Sequence, residues 1–181
     1  MTLQVYTARL WTRDPDKLDI TRGSGAAAGA PFAPSWAILR PALAARREAE
    51  RREEEARRAL VYCETGDDED ACLQSGADGA MDIEAEAWAV YVPAYVEEMR
   101  QSYRAHRDAW DALLARPRVV LCCYCVDPAR CHRALLADIL GKLGADVRGE
   151  LPAEERSGPT GDSRRDGAIA RHRAAYPRGG R

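Results

Sequence analysis

Residues 119–143 read VVLCCYCVDPARCHRALLADILGKL. The apolar run at the front is a buried strand over 119–125, bounded by a turn. Asp127 is a natural N-cap and Pro128 a natural first helical residue. An amphipathic helix over 128–143 then turns Leu135, Leu136, Ile139, Leu140 and Leu143 inward, and Gly144 ends it. A strand that feeds a helix through a short turn is the building unit of a parallel sheet. Ligand sites of such sheets form at the strand ends. Four cysteines stand at this one, Cys122, Cys123, Cys125 and Cys131.

Outward from this junction, strand and helix candidates alternate. Residues 3–9 (LQVYTAR) alternate as a strand does, and 17–21 (KLDIT) form a second short strand. A small-residue loop runs to Pro34, and Ser35 can cap a helix from Trp36, with Pro41 kinking or restarting it. Residues 44–58 (AARREAERREEEARR) are charged almost all round and read as a solvated helix. Val61-Tyr62-Cys63 is a short strand or a helix end, and 64–80 reads as an acidic, glycine-containing mobile loop. Residues 83–115 carry Trp88, Tyr91, Tyr95, Met99, Ser102 or Tyr103, His106, Trp110 and Leu113 at three- and four-residue steps. That stripe predicts one long helix with a core-facing aromatic side, bent at Pro93. Ala145–Leu151 can return as a last strand. The fold class that follows is α/β: a single domain over 1–151 with a short, mostly parallel sheet flanked by helices, and a disordered tail over 152–181.

Composition narrows the function. The chain has 181 residues and a formal net charge of −2, which gives no global pull toward nucleic acid or membrane. The arginines of the tail allow a nucleic-acid contact that the net charge does not support. No run is long enough to span a bilayer and no basic-then-apolar leader is present, so a soluble, cytoplasmic protein is expected. Four of the six cysteines fall within ten residues. In a reducing compartment that clustering reads as thiol chemistry, metal ligation or buried packing rather than a disulfide framework. The oligomeric state is not legible.

Core packing is one reading of the junction. The segment from Cys125 to Arg130 resembles a sulfurtransferase persulfide loop, and a structural or partner-binding protein would use the charged helix or the tail as its contact surface. Two main functional readings of the junction stand open beside these. In the first, Cys131 lies in the first turn of the helix, where unpaired N–H groups depress a thiol pKa. Cys131 or Cys123 is then the reactive thiol and His132 the proton carrier, so the catalytic set is Cys131, His132 and Cys123. Arg22, Ser24, Arg130 and Arg133 would hold a small anionic ligand, such as a nucleotide or modified base. In the second, Cys123, Cys125, Cys131 and His132 ligate a metal, zinc or iron by their softness. Two thiolates on one zinc sit roughly 3.8 Å apart, given Zn–S bonds near 2.3 Å. Same-face neighbours on a regular strand are roughly 6.6 Å apart, so a bend after Cys123 is required. Cys122 points the other way and reads as an inert buried thiol.

The segment Cys123 to Asp127-Pro128-Ala129-Arg130-Cys131-His132-Arg133, followed by an apolar helix, resembles the bacterial family known as domain of unknown function 488. The strand Val5–Leu10 with Leu18-Asp19-Ile20-Thr21-Arg22 is similar to that family's first two strands. The resemblance covers residues 3–25 and 118–147 and implies a compact α/β fold; it carries no activity. Cys125 stands where the family is expected to have an acidic residue, which shifts the expectation from a shared carboxylate toward a metal or a thiol pair.

Overall fold

The structure, a computed structural model, describes residues 1–62 and 69–152. Four strands, β1 (Gln4–Arg9), β2 (Lys17–Asp19), β3 (Arg118–Cys123) and β4 (Asp146–Glu150), form one sheet in the order β2-β3-β1-β4. All three pairings are parallel. The α/β class with a parallel sheet and helices is as the sequence reads, and β3 lies inside the sheet between β2 and β1. The expected tail lies outside the described residues apart from Pro152.

Among the described residues, four α-helices, α1 (Trp36–Tyr62), α2 (Glu69–Ala105), α3 (Arg107–Leu114) and α4 (His132–Lys142), accompany the sheet. Val5, Leu18, Val119 and Leu121 of the strands join Tyr91, Tyr95, Met99, Trp110, Leu136 and Leu140 of the helices in the main core. Because strand side chains alternate, Val120 and Cys122 face the other side. They gather with Ala8 and Leu10, against Tyr6, Tyr124 and Leu151. Among the described residues, no helix contributes to that second cluster. Parallel sheets usually bury both faces under helices. Here aromatic side chains cover part of the second face: Arg118 stacks over Tyr6 at 4.8 Å, and Trp11 meets Tyr124 edge-on at 5.5 Å. Arg118 also binds Asp14 at 2.7 Å and Asp16 at 2.8 Å, fixing the β1–β2 loop to β3.

Several expectations need correction. The stretch expected as a mobile loop is helical from Glu69 onward, and only its first residues, with Cys63, lie outside the described set. Extending an existing helix carries no new nucleation cost. The expected single helix over 83–115 breaks at His106, whose φ of −126° and ψ of 45° are not helical. His106 is exposed rather than part of the stripe. The break lets α3 turn Trp110 inward, where its indole N–H donates to the Ser102 hydroxyl at 3.2 Å. Ser35 does not serve α1 as a side-chain cap: its N–H and hydroxyl both donate to the Glu98 carboxylate of α2. The charged helix α1 is laced with exposed Arg–Glu pairs as expected, yet Ala49 is buried against its neighbours.

The small-residue loop contains a 3-10 helix, Ala27–Phe32. Gly29 sits hard against the end of β2: a Cβ there would lie 1.7 Å from the Asp19 carbonyl oxygen. Tyr95 donates to the Phe32 carbonyl at 2.8 Å, so this loop is tied to α2 as well.

Candidate functional site

β3 ends at Cys123 and the chain bends at Tyr124, which breaks the alternation that would hold Cys123 and Cys125 apart. Their sulfurs lie 3.7 Å from each other. Asp127 does not cap the helix. It accepts the Ala129 N–H at 2.8 Å in a local turn, and Pro128 has no N–H to offer. Helix α4 therefore starts at His132 with Cys131 as its N-cap residue. The turn carries Cys131 back under the strand end. The Sγ atoms of Cys123, Cys125 and Cys131 all lie within 4.8 Å of one another.

His132 is buried against Tyr95, ring centroids 5.9 Å apart. Its Nε2 faces the Ile20 carbonyl at 3.1 Å. A carbonyl only accepts, so Nε2 carries the proton. Burial lowers the ring's pKa, against the raising effect of Cys125, and the neutral ring leaves a lone pair on Nδ1. That atom faces Cys123 Sγ at 3.9 Å. His132 stands outside the trio of mutually close sulfurs.

Arg133 is 0% exposed. Its Nε and Nη2 fork onto the Glu150 carboxylate of β4 at 3.1 and 3.0 Å. Its Nη1 donates to the Cys125 carbonyl at 2.8 Å and to Cys131 Sγ at 3.6 Å. Thr7 of β1 donates to the same carboxylate. Burial lowers the Arg133 pKa, but Cys131 and the bonded Glu150 carboxylate outweigh it, so the pKa is raised and the guanidinium stays charged.

The thiols divide. Hydrogen bonds from Cys123 and Cys131 drop the Cys125 thiol well below its ordinary value. Cys123 is held up by its bonds to Cys125 and Cys131 and by burial. For Cys131 the bond with Cys123 lowers the pKa, but the bond with Cys125, burial and the Cys125 charge push it up to about 12. The direction for Cys131 is thus upward rather than the depression expected of a helix start, because a neighbouring Cys125 thiolate disfavours a second charge in the trio. Cys122 is pushed up to about 11 by burial, on the far face.

A cavity of about 100 Å³ between α1 and α2 opens on Cys125 and Cys131, with Leu43, Arg46, Trp88 and Tyr91 among its other walls. The arginines expected to hold an anion are placed as follows. Arg130 also lines the cavity but binds Glu84 at 2.6 Å. Arg133 is committed to Glu150. Arg22 donates to the Pro34 and Ala33 carbonyls, both at 2.7 Å, and borders a different depression beside Ser35 and Glu98. Ser24 closes its own turn on the Thr21 carbonyl at 2.9 Å. The end of β2 does reach the site, through the backbone of Ile20 rather than through Arg22 or Ser24. Glu150, Ile20 and Tyr91 escaped sequence reasoning. Tyr91 was visible only as one member of the aromatic stripe, and Glu150 only as an acidic residue on the last strand.

No described helix is long and apolar enough to cross a membrane. No curated protein and no solved structure matches the chain. Residues 77–144 match the family model DUF488-N3a, described as the active DUF488-N3 subclade. That stretch takes in most of α2, then α3, β3, the cysteine trio and all of α4, and leaves out the β1–β2 segment. Over it, the chain resembles the domain-of-unknown-function 488 family.

Proposed function

We propose that this protein is a metal-binding module in which the thiolates of Cys123, Cys125 and Cys131 hold a divalent ion of the zinc class. The observation that carries the reading is the convergence of three sulfurs within 4.8 Å of one another. The Cys123–Cys125 separation of 3.7 Å compares with the roughly 3.8 Å set by tetrahedral Zn–S bonds. Three soft thiolates suit zinc or iron and disfavour hard cations. The cavity provides an entry path, since Cys125 and Cys131 line it. His132 stands beside Cys123 with its other nitrogen bonded to a backbone carbonyl, the orientation that keeps a histidine's lone pair available at a metal site. The anion reading ranks below this one because its cations are already committed: Arg133 to Glu150, Arg130 to Glu84, and Arg22 to carbonyls.

The test is metal analysis of protein purified without chelator, followed by Co²⁺ titration of the stripped chain. The expected result is one equivalent of ion and a sulfur-to-cobalt charge-transfer band. Cys125→Ser and Cys131→Ser should each weaken binding by at least about tenfold. A wild-type protein that binds Co²⁺ no better than a variant with all three cysteines replaced by serine refutes the reading.

A further inference from the structure

Tyr91 is 4% exposed, and its hydroxyl has no hydrogen-bond partner among the described residues. A buried, unpaired hydroxyl costs free energy, so native structures rarely keep one without use. The contrast lies one turn along α2, where the Tyr95 hydroxyl is satisfied by the Phe32 carbonyl. The Tyr91 ring has little freedom to seek a partner. It is stacked between Trp88 at 5.3 Å and Tyr95 at 6.0 Å, with interplanar angles of 14° and 8°. The hydroxyl is also closed to solvent, so its partner must come from within.

The neighbouring groups are sulfurs. Tyr91 shares the cavity wall with Cys125 and Cys131. Burial holds the phenol's proton on, and the groups that add to it are Cys131 first, then Cys123 and Cys125. A thiol sulfur is a weak acceptor, whereas a thiolate is a strong one. Cys131 is 1% exposed and already receives one donor, Arg133 Nη1. A buried thiolate needs such donors.

We propose that Tyr91 is a positioning residue of the cysteine centre: its hydroxyl donates a hydrogen bond to the Cys131 sulfur once that sulfur is a metal-bound thiolate. The inference rests on the metal reading and extends it to a group on α2. On that reading a metal-bound Cys131 thiolate supplies the acceptor that the Tyr91 hydroxyl lacks among the described residues. Donors to ligating atoms set ligand orientation and basicity, and their loss typically weakens a metal site by 10- to 100-fold.

The experiment compares wild type, Tyr91→Phe and Tyr95→Phe in the full chain. Each is melted metal-free and then titrated with Co²⁺. Tyr91→Phe should melt at the same temperature as wild type or higher, since an unsatisfied group is removed. It should bind Co²⁺ about 10- to 100-fold more weakly, with its charge-transfer band moved to lower energy. Tyr95→Phe, which loses a satisfied bond, should lower the melting temperature and leave the band in place. Equal Co²⁺ affinity in wild type and Tyr91→Phe overturns the inference and leaves the metal reading standing. Weaker binding joined to a lower metal-free melting temperature also overturns it, because the role is then structural. If wild type itself binds no Co²⁺, the metal reading has failed and the inference goes with it.

Discussion

Replacing Arg133 with methionine tests how the site is held. Methionine keeps the length and the helix propensity of the side chain, so the change removes chiefly the guanidinium. Four contacts go with it: two to Glu150, one to the Cys125 carbonyl and one to Cys131 Sγ. Among the described residues Glu150 then keeps the Thr7 hydroxyl alone, and its side chain is 30% exposed, so water recovers part of the loss. Breaking a fully buried pair from one side costs about 3–5 kcal/mol, and partial exposure of the carboxylate puts Arg133→Met near the lower end, about 3 kcal/mol. For a domain of this size that is a fall in melting temperature of roughly 6–12 °C. Urea denaturation of Arg133→Met, Glu150→Gln and the double variant measures both the cost and the coupling. We expect a coupling of more than about 1 kcal/mol, since the two residues share one network. A loss under about 1 kcal/mol, or two variants that simply add, would refute the view that this pair clamps the cysteine loop to β4.

The remaining predictions concern reactivity and close packing. In metal-free protein at neutral pH, iodoacetamide should modify Cys125 first, since its thiol is depressed and it lines the cavity. Cys122, buried and pushed up to about 11, should react last. Peptide mapping by mass spectrometry reads the order, and labelling of Cys122 ahead of Cys125 would contradict the placing of the thiolate at Cys125. Bound zinc should protect the trio, with protection lost on adding a chelator. Gly29→Ala should destabilise the domain by about 1–3 kcal/mol, because the new Cβ meets the Asp19 carbonyl oxygen at 1.7 Å. An unchanged thermal melt would show that the 3-10 helix lifts off β2 at no cost.

The junction was legible because it depends on local rules. Alternation separates Cys122 from Cys123, and Gly144, at φ +97°, ends α4 where the apolar pattern stops. The helix start was not legible to the residue. Asp127 and Pro128 are strong start signals by composition, but Asp127 spends its carboxylate on its own turn, and inward burial of His132 and Arg133 sets the start later. The convergence of the sulfurs depended on a bend at Tyr124 that alternation does not predict. The fate of the arginines was hidden for a different reason. A sequence shows which cations exist, but Glu84, Glu150 and the Pro34 carbonyl lie 46, 17 and 12 positions from the arginines they bind. The break at His106 was hidden likewise, because the stripe keeps its spacing across it.

The cysteine centre has its sulfurs within nine positions of chain, yet its orientation is set by atoms from both ends of the domain. The Ile20 carbonyl aims His132, and Glu150, itself held by Thr7, aims Arg133. None of these three residues lies in the stretch 77–144 that carries the family resemblance. A peptide of that stretch would keep every sulfur and lose what points them. The Glu150 counterion reaches the loop only when β4 is paired with β1. The centre is therefore complete only in the assembled sheet, a reporter of finished tertiary structure rather than a portable motif.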